Sequence, residues 1–489
     1  MEARLLTILL CAPLGAIVVS LAARNSRAAE YITVAAAIID LVVSVPLLRS
    51  CLHGSSTLLH GYCLIDALGA WVIVCISVVY ALSSIYAVGY MRLLDEEPRL
   101  PMFYALFSGF AFTMLGACVM NNAGVFWIAI ELTTLISTFL VGFEQEAEST
   151  EAAWKYIVVV SGGISLALLG TVLFYWGSTF VLGPSYAMTW AALRSSAPRV
   201  YPPLLLVSFL LVLVGYGTKA GLAPMHTWLP DAHSESPAPV SAMLSGALLN
   251  TSMLGIARFL GVVTGTSVSR FAHSTVVGFG IFSFVLAALF IVRQNGIKRL
   301  MAYSSVEHIG VQALGLGFAG PLGLAGALYH MLNHSLNKSL MFFGAGNVMR
   351  SYKTKEIPGI RHVLRVYPAT GTLWLLGALG IVGAPPFALF LSEFTILRAG
   401  IGGRYRWAVI VFVAVLVIVF IGFLSHFRSM YFENGADDRR DIPRLTGVAW
   451  RTLPMWLAFV PLLVLGMWWP HGLWTVFHKV FVDVMGGTP

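Results

Sequence analysis

Lys219 stands in GTKAGLAPMHTWLPDAHSESPAPVSA (217–242), directly after the apolar run YPPLLLVSFLLVLVGY (201–216). An ammonium at that depth in a membrane-length segment is costly, so it reads first as a functional ion. Gly217, Gly221 and Pro224 surround it, and Pro230, Pro237 and Pro239 follow. Glycine and proline at membrane depth predict a broken helix, tolerated only where the backbone faces protein or a water-filled cavity. A lysine beside such a break suits an ion or proton path.

Five further places carry titratable groups where lipid should exclude charge. Glu131 lies in VFWIAIELTTLISTFLVGF (125–143) with no cationic neighbour in sequence. A buried carboxylate protonates or finds a counter-ion, and Lys219 is its natural partner; the plainer alternative is an ion pair that only fixes packing. His330, His334 and Lys338 recur at i, i+4, i+8 in GALYHMLNHSLNKSLMFFGAG (326–346), a ladder on one helix face, with Asn333 and Asn337 on an adjoining face placed to hold water. A lone histidine in an apolar helix is usually structural, but three stacked titratable groups favour proton exchange near neutral pH. Glu393 follows the Pro385–Pro386 interruption in GALGIVGAPPFALFLSEF (377–394), either as a functional acid or as a helix-end charge reaching the interface. Glu307 and His308, in IKRLMAYSSVEHIGVQALGLG (297–317), are weaker candidates. Asp40, in YITVAAAIIDLVVSVPLL (31–48), has no nameable partner and is equally a packing residue. His226, Asp231, His233 and Glu235 read as loop residues at the cytoplasmic mouth of the break, either proton donors or turn residues.

The elements that must position these residues are transmembrane helices. Of 489 residues 58% are hydrophobic and only 11% charged, about half the charged share of soluble domains, and the mean hydropathy is +0.83. The fold class is an all-α polytopic membrane protein. Fourteen spans are predicted: 4–23, 31–49, 64–90, 101–121, 123–143, 154–180, 203–223, 239–264, 272–293, 299–319, 322–349, 369–398, 407–431 and 452–480. Arg4 and the run after it read as the first span rather than a cleaved signal. With the N-terminus outside, eighteen lysines and arginines fall in cytoplasmic loops against ten outside, which places both termini extracytoplasmically. The net charge of +8 is spread over short loops, which argues against nucleic acid. The acidic stretch 144–152 reads as a solvated helix start. Cys11, Cys51, Cys63, Cys75 and Cys118 show no metal-ligand spacing, although Cys51 and Cys63 flank one loop that would allow a disulfide. No phosphate-cradling loop, metal motif or nucleophile motif is present, so no metal or cofactor is expected. The interrupted seventh and twelfth spans occupy corresponding positions, as in inverted-repeat transporters. The expected organisation is therefore helices 1–3 (1–100), a first repeat (101–264), an inverted second repeat (272–431) and a last helix (452–489).

These segments resemble a known family. GTKAGLAPMHTWLPDAHSESPAPVSAMLSG, KRLMAYSSVEHIG and the HxxxHxxxK helix look like the antiporter-like proton-translocating subunits of respiratory complex I, the multisubunit sodium/proton antiporters and the membrane-bound hydrogenases. FWIAIELTTL, HMLNHSLNKSLMFFGAGNV and GAPPFALFLSEF look most similar to the hydrogenase 4 component F branch. The resemblance, over about residues 60 to 430, implies fourteen spans with two inverted five-helix repeats and a site in the bacterial or archaeal plasma membrane. It implies no cofactor, protons or sodium as the ion, and other membrane and soluble subunits as partners. Glu131 matches the acid that pairs with the broken-helix lysine, here Lys219. Lys338 matches the lysine of the second half-channel, with His334 one turn before it, and Glu393 matches the residue exchanging protons with the outside. Asn250 stands where several complex I members have a lysine joining the half-channels. An asparagine carries no protonic charge, so the link is expected to run through water or His334. The long lateral helix of the largest complex I subunit is not expected before Pro489. The function implied is proton translocation in a redox-driven complex; the alternatives are a cation/proton antiporter subunit and a membrane anchor for a soluble enzyme.

Overall fold

In lipid the usual rule of burial is reversed, and the helices follow that reversal. The computed structural model describes residues 1–23, 25–94, 97–432 and 448–486; Arg24, Arg439, Arg440 and Arg444, counted above for orientation, lie outside them. Large apolar residues such as Val42, Ile410 and Ile421 point outward, whereas Lys219, Lys338, Asp40 and Glu393 are buried. Eleven helices among the described residues are long and apolar enough to cross a membrane.

The first half comprises α1 (Glu2–Ala22), α2 (Ser26–Ser50), α3 (Ala67–Tyr90), α4 (Leu100–Cys118), α5 (Ala123–Val141), α6 (Ala147–Leu182) and a short α7 (Trp190–Ser196). It continues with α8 (Pro202–Ala220), α9 (Trp228–Glu235), α10 (Ala238–Met243) and α11 (Leu249–Val263). The second half has α12 (Ser269–Ile291), α13 (Ile297–Gly317), α14 (Gly320–Tyr352), the single turn α15 (Val363–Val366), α16 (Pro368–Ile381) and α17 (Ala388–Gly402). It closes with α18 (Arg406–Phe432), α19 (Val448–Met467) and α20 (His471–Met485). A two-stranded hairpin, Ser56–Leu58 with Cys63–Ile65, fills the loop before α3. Cys51 and Cys63 flank it as free thiols, not as a disulfide.

Several predicted boundaries shift for local reasons. The sixth span begins at Ala147, inside the acidic stretch. The eighth is α10, a π-helical turn Leu244–Leu248, and α11. The twelfth splits into α16 and α17 at its Gly-Pro-Pro interruption. The fourteenth is two helices, α19 and α20, because Pro470 follows Trp468–Trp469 and disfavours helix before it. The stretch after the seventh-span break is not loop: residues 228–235 form α9. Helices α13 and α14 are long enough to span but are not among the eleven, since they carry the polar ladder.

Helix α14 is the axis of the molecule, packed against α3, α10, α13, α16, α17, α19 and α20. Around it, glycines permit close approach: a Cβ on Gly310 would stand 2.8 Å from the Gly280 carbonyl, which brings α12 and α13 together. Two ion pairs tie the first helices down, one buried and one whose arginine is exposed. Asp66 caps α3 and receives a bidentate fork from Arg258 of α11, and Glu30 of α2 receives one from Arg92.

Candidate functional site

The first lysine ends its helix. Gly221 takes a left-handed conformation (φ 80°) that caps α8 two residues after Lys219, and a cis bond precedes Pro224. Only a residue without a Cβ enters that conformation without strain. Lys219 is fully buried, and its Nζ donates to Thr134 Oγ1 of α5. Thr134 in turn donates to Glu131 Oε2 (3.3 Å), and Ser161 of α6 donates to Glu131 Oε1 (2.6 Å). Glu131 and Lys219 are thus joined through one hydroxyl, not by a direct salt bridge. Glu131 itself is only half-buried, at the edge between α5 and α6.

The second lysine sits inside an unbroken helix. Lys338 Nζ donates to the Met301 carbonyl (2.9 Å) and to Ser304 Oγ, both on α13. The interruption lies in the neighbouring segment, where Gly383 (φ 70°) and the cis Pro385–Pro386 bond separate α16 from α17. Asn337 and Asn333 of α14 donate to the Gly377 and Ala388 carbonyls on either side of that break (3.0 and 2.9 Å). The two asparagines expected to hold water therefore also clamp the break, while their Oδ1 atoms remain unpartnered.

Above Lys338 the structure gathers residues from three helices. His308 Nδ1 of α13 stands 3.2 Å from His330 Nε2 of α14 and 3.8 Å from Glu393 Oε1 of α17. His308 Nε2 is 3.3 Å from Glu307 Oε2. His334 packs its ring 5.4 Å from that of His308, with both nitrogens unpartnered. Asn250 of α11 donates to Ser335 Oγ and to the Gly246 and Met331 carbonyls, which fastens the π-helical turn to α14. His226 joins neither cluster; it is buried with its ring 6.2 Å from that of Tyr303. Asp40 is wholly buried and neither oxygen has a partner.

Sequence reasoning passed over the hydroxyls that serve the lysines, Thr134 and Ser304, because threonine and serine are common in apolar helices. It also underrated His233, which is fully buried in α9 with its ring 5.6 Å from Phe342, one turn beyond Lys338. Asp231 and Glu235 are surface partners instead, the first of Lys155 and Arg299, the second of Lys355.

A polytopic helical protein with two buried lysines, each on a hydroxyl of a neighbouring helix and each near an interrupted segment, defines a class of ion-handling membrane subunits. The chain belongs to the NADH:quinone oxidoreductase/Mrp antiporter transmembrane family, whose model matches residues 120–421. It is 38% identical over 305 residues to a hydrogenase-4 component F homolog of Methylacidiphilum infernorum, covering 62% of this chain and 64% of that one. It is 31% identical over 341 residues to hydrogenase-4 component B of Escherichia coli, covering 67% of this chain and 49% of that one. The chain thus spans less than two thirds of these relatives. In fold it is similar to a chain of the membrane-bound sulfane sulfur reductase, an archaeal respiratory membrane complex, with a TM-score of 0.87 and 22% identity over 99% of this chain and 97% of that one.

Proposed function

We propose that this chain is a proton-translocating membrane subunit of a redox-driven complex and carries no redox centre itself. The observation that carries this reading is the pair of fully buried lysines, each bonded to a hydroxyl of a neighbouring helix. Lys219 holds its proton while Glu131 is near, because an adjacent carboxylate stabilises the ammonium. Drawing Glu131 away favours release of that proton. Its half-buried position at the helix edge makes Glu131 accessible to a neighbouring subunit. The proton then passes by water toward His334 and Lys338, and leaves by Glu393. Unpartnered nitrogens on His233 and His334 and the free Oδ1 of Asn250 support a water-linked middle section.

On this reading the first repeat is 101–264 and the inverted second repeat 272–431, flanked by 1–100 and 452–489. The chain resides in a prokaryotic plasma membrane with both termini outside, among other membrane and soluble subunits. The test is proton uptake by the assembled complex in vesicles. Lys219→Ala and Glu131→Gln are expected to abolish it, and wild-type pumping by either variant overturns the scheme. The family's description also favours a second reading, secondary cation/proton exchange. Rescue of an antiporter-deficient host in alkaline sodium medium by this chain and its partner subunits would establish that reading. Unchanged proton movement after neutralising both lysines would leave a membrane anchor.

A further inference from the structure

We propose that His308, His330 and Glu393 form a binding site for a divalent transition metal of the zinc type. The sequence shows no metal-ligand spacing because the three donors come from α13, α14 and α17. All three are buried, and their donor atoms lie within 4.8 Å of one another. Two of the separations, 3.2 and 3.8 Å, bracket the edge of about 3.3 Å expected of a tetrahedron with metal–nitrogen bonds of about 2.0–2.1 Å.

Hydrogen bonding directs the lone pairs inward. Ser392 donates its one hydroxyl proton to the Leu389 carbonyl (2.8 Å), so it accepts from His330 Nδ1 (2.9 Å). His330 therefore carries its proton on Nδ1 and turns a bare Nε2 toward His308. Without metal, the Nδ1 proton of His308 fills the 3.2 Å gap. Metal binding moves that proton across the same ring to Nε2, 3.3 Å from Glu307 Oε2. The ring gains and loses no proton, and Nδ1 becomes the second ligand. His330 has Ser392 as its outer hydrogen-bond partner, and the Glu307 carboxylate stands 3.3 Å from His308 Nε2 as a charge neighbour that is not aligned as a hydrogen bond.

Glu393 supplies the third ligand. Its Oε2 is pressed against the backbone of Gly383, where any Cβ would collide with it, and its Oε1 has no hydrogen-bond partner. Two carboxylates, Glu307 and Glu393, balance one divalent ion in a low-dielectric interior, and two imidazoles select a borderline-soft metal over calcium or magnesium. A fourth position remains for water. The site shares Glu393 with the proposed proton exit, so bound metal would obstruct that path. Metal binding is read without any proton assay, so failure of the site and failure of the proton-transfer reading are distinguishable.

The test is zinc binding by the full chain in lipid nanodiscs, purified with zinc present throughout because access to a buried site is slow. One zinc per chain is expected to survive desalting, with two imidazoles and oxygen in its first shell by X-ray absorption. His330→Ala is expected to weaken binding by roughly a hundredfold or more, and Glu307→Gln by roughly 10–100-fold. His334→Ala retains the metal, since neither of its nitrogens is among the donors. No retained zinc in the wild type, a first shell without two imidazoles, or equal retention by His330→Ala and His308→Ala each overturns the site. The absorption spectrum needs no variant, so a variant that fails to fold does not leave the question open.

Discussion

The two lysine sites use the same pair of parts in opposite arrangements. Lys219 lies at the end of a helix that breaks immediately after it, and its carboxylate, Glu131, is reached through Thr134 at a half-buried edge. Lys338 lies within the 33-residue α14, fully enclosed, and the break belongs to the adjoining α16–α17 segment. Its surroundings add histidines and two further carboxylates. The first site is suited to sensing, because a peripheral acid is free to be moved by a neighbour. The second is suited to relaying, because its groups are packed too tightly for outside contact.

The sharpest way to break this comparison is to remove each lysine. Lys219→Ala and Lys338→Ala are each expected to lower proton uptake by the complex roughly a hundredfold or more, since on the proposed reading each deletes a proton-transfer group. If only one variant loses activity, the two sites do not work in series. Next in size is a control that belongs to neither site. Asp66→Asn leaves Arg258 buried without its counter-ion and is expected to cost about 3–5 kcal/mol in thermal or denaturant unfolding, with uptake per folded molecule retained.

The hydroxyl bridges come third. Thr134→Val severs the hydroxyl link between Lys219 and Glu131, whereas Ser304→Ala leaves Lys338 its bond to the Met301 carbonyl. Uptake assays are expected to show the larger loss for Thr134→Val; equal losses would remove the distinction between sensing and relaying. The glycines at the breaks come fourth. Gly221→Ala and Gly383→Ala both force a side chain into positive φ, at about 1 kcal/mol each in unfolding experiments. Gly383→Ala also displaces Glu393 and is expected to slow uptake, while Gly221→Ala meets only Leu229. The smallest effect is at the surface. Lys155→Ala removes solvent-exposed pairs with Glu151 and Asp231 and is expected to leave the unfolding midpoint unchanged.

The sequence by itself determined the fold class and the principal titratable groups. Charge is so expensive in lipid that Glu131, Lys219, Lys338 and Glu393 stand out against apolar runs without any structure. Glycine and proline marked both interruptions, because their backbone restrictions are local. The split of the last predicted span at Pro470 was equally local but was masked by the apolar residues around it. What the tertiary structure alone decided is who meets whom. Hydrogen-bond partners across helices depend on rotation and tilt, which periodicity does not encode. Hence Thr134 between Lys219 and Glu131, the clamping by Asn333 and Asn337, and the meeting of His308, His330 and Glu393 from three separate helices appear only when the chain is packed.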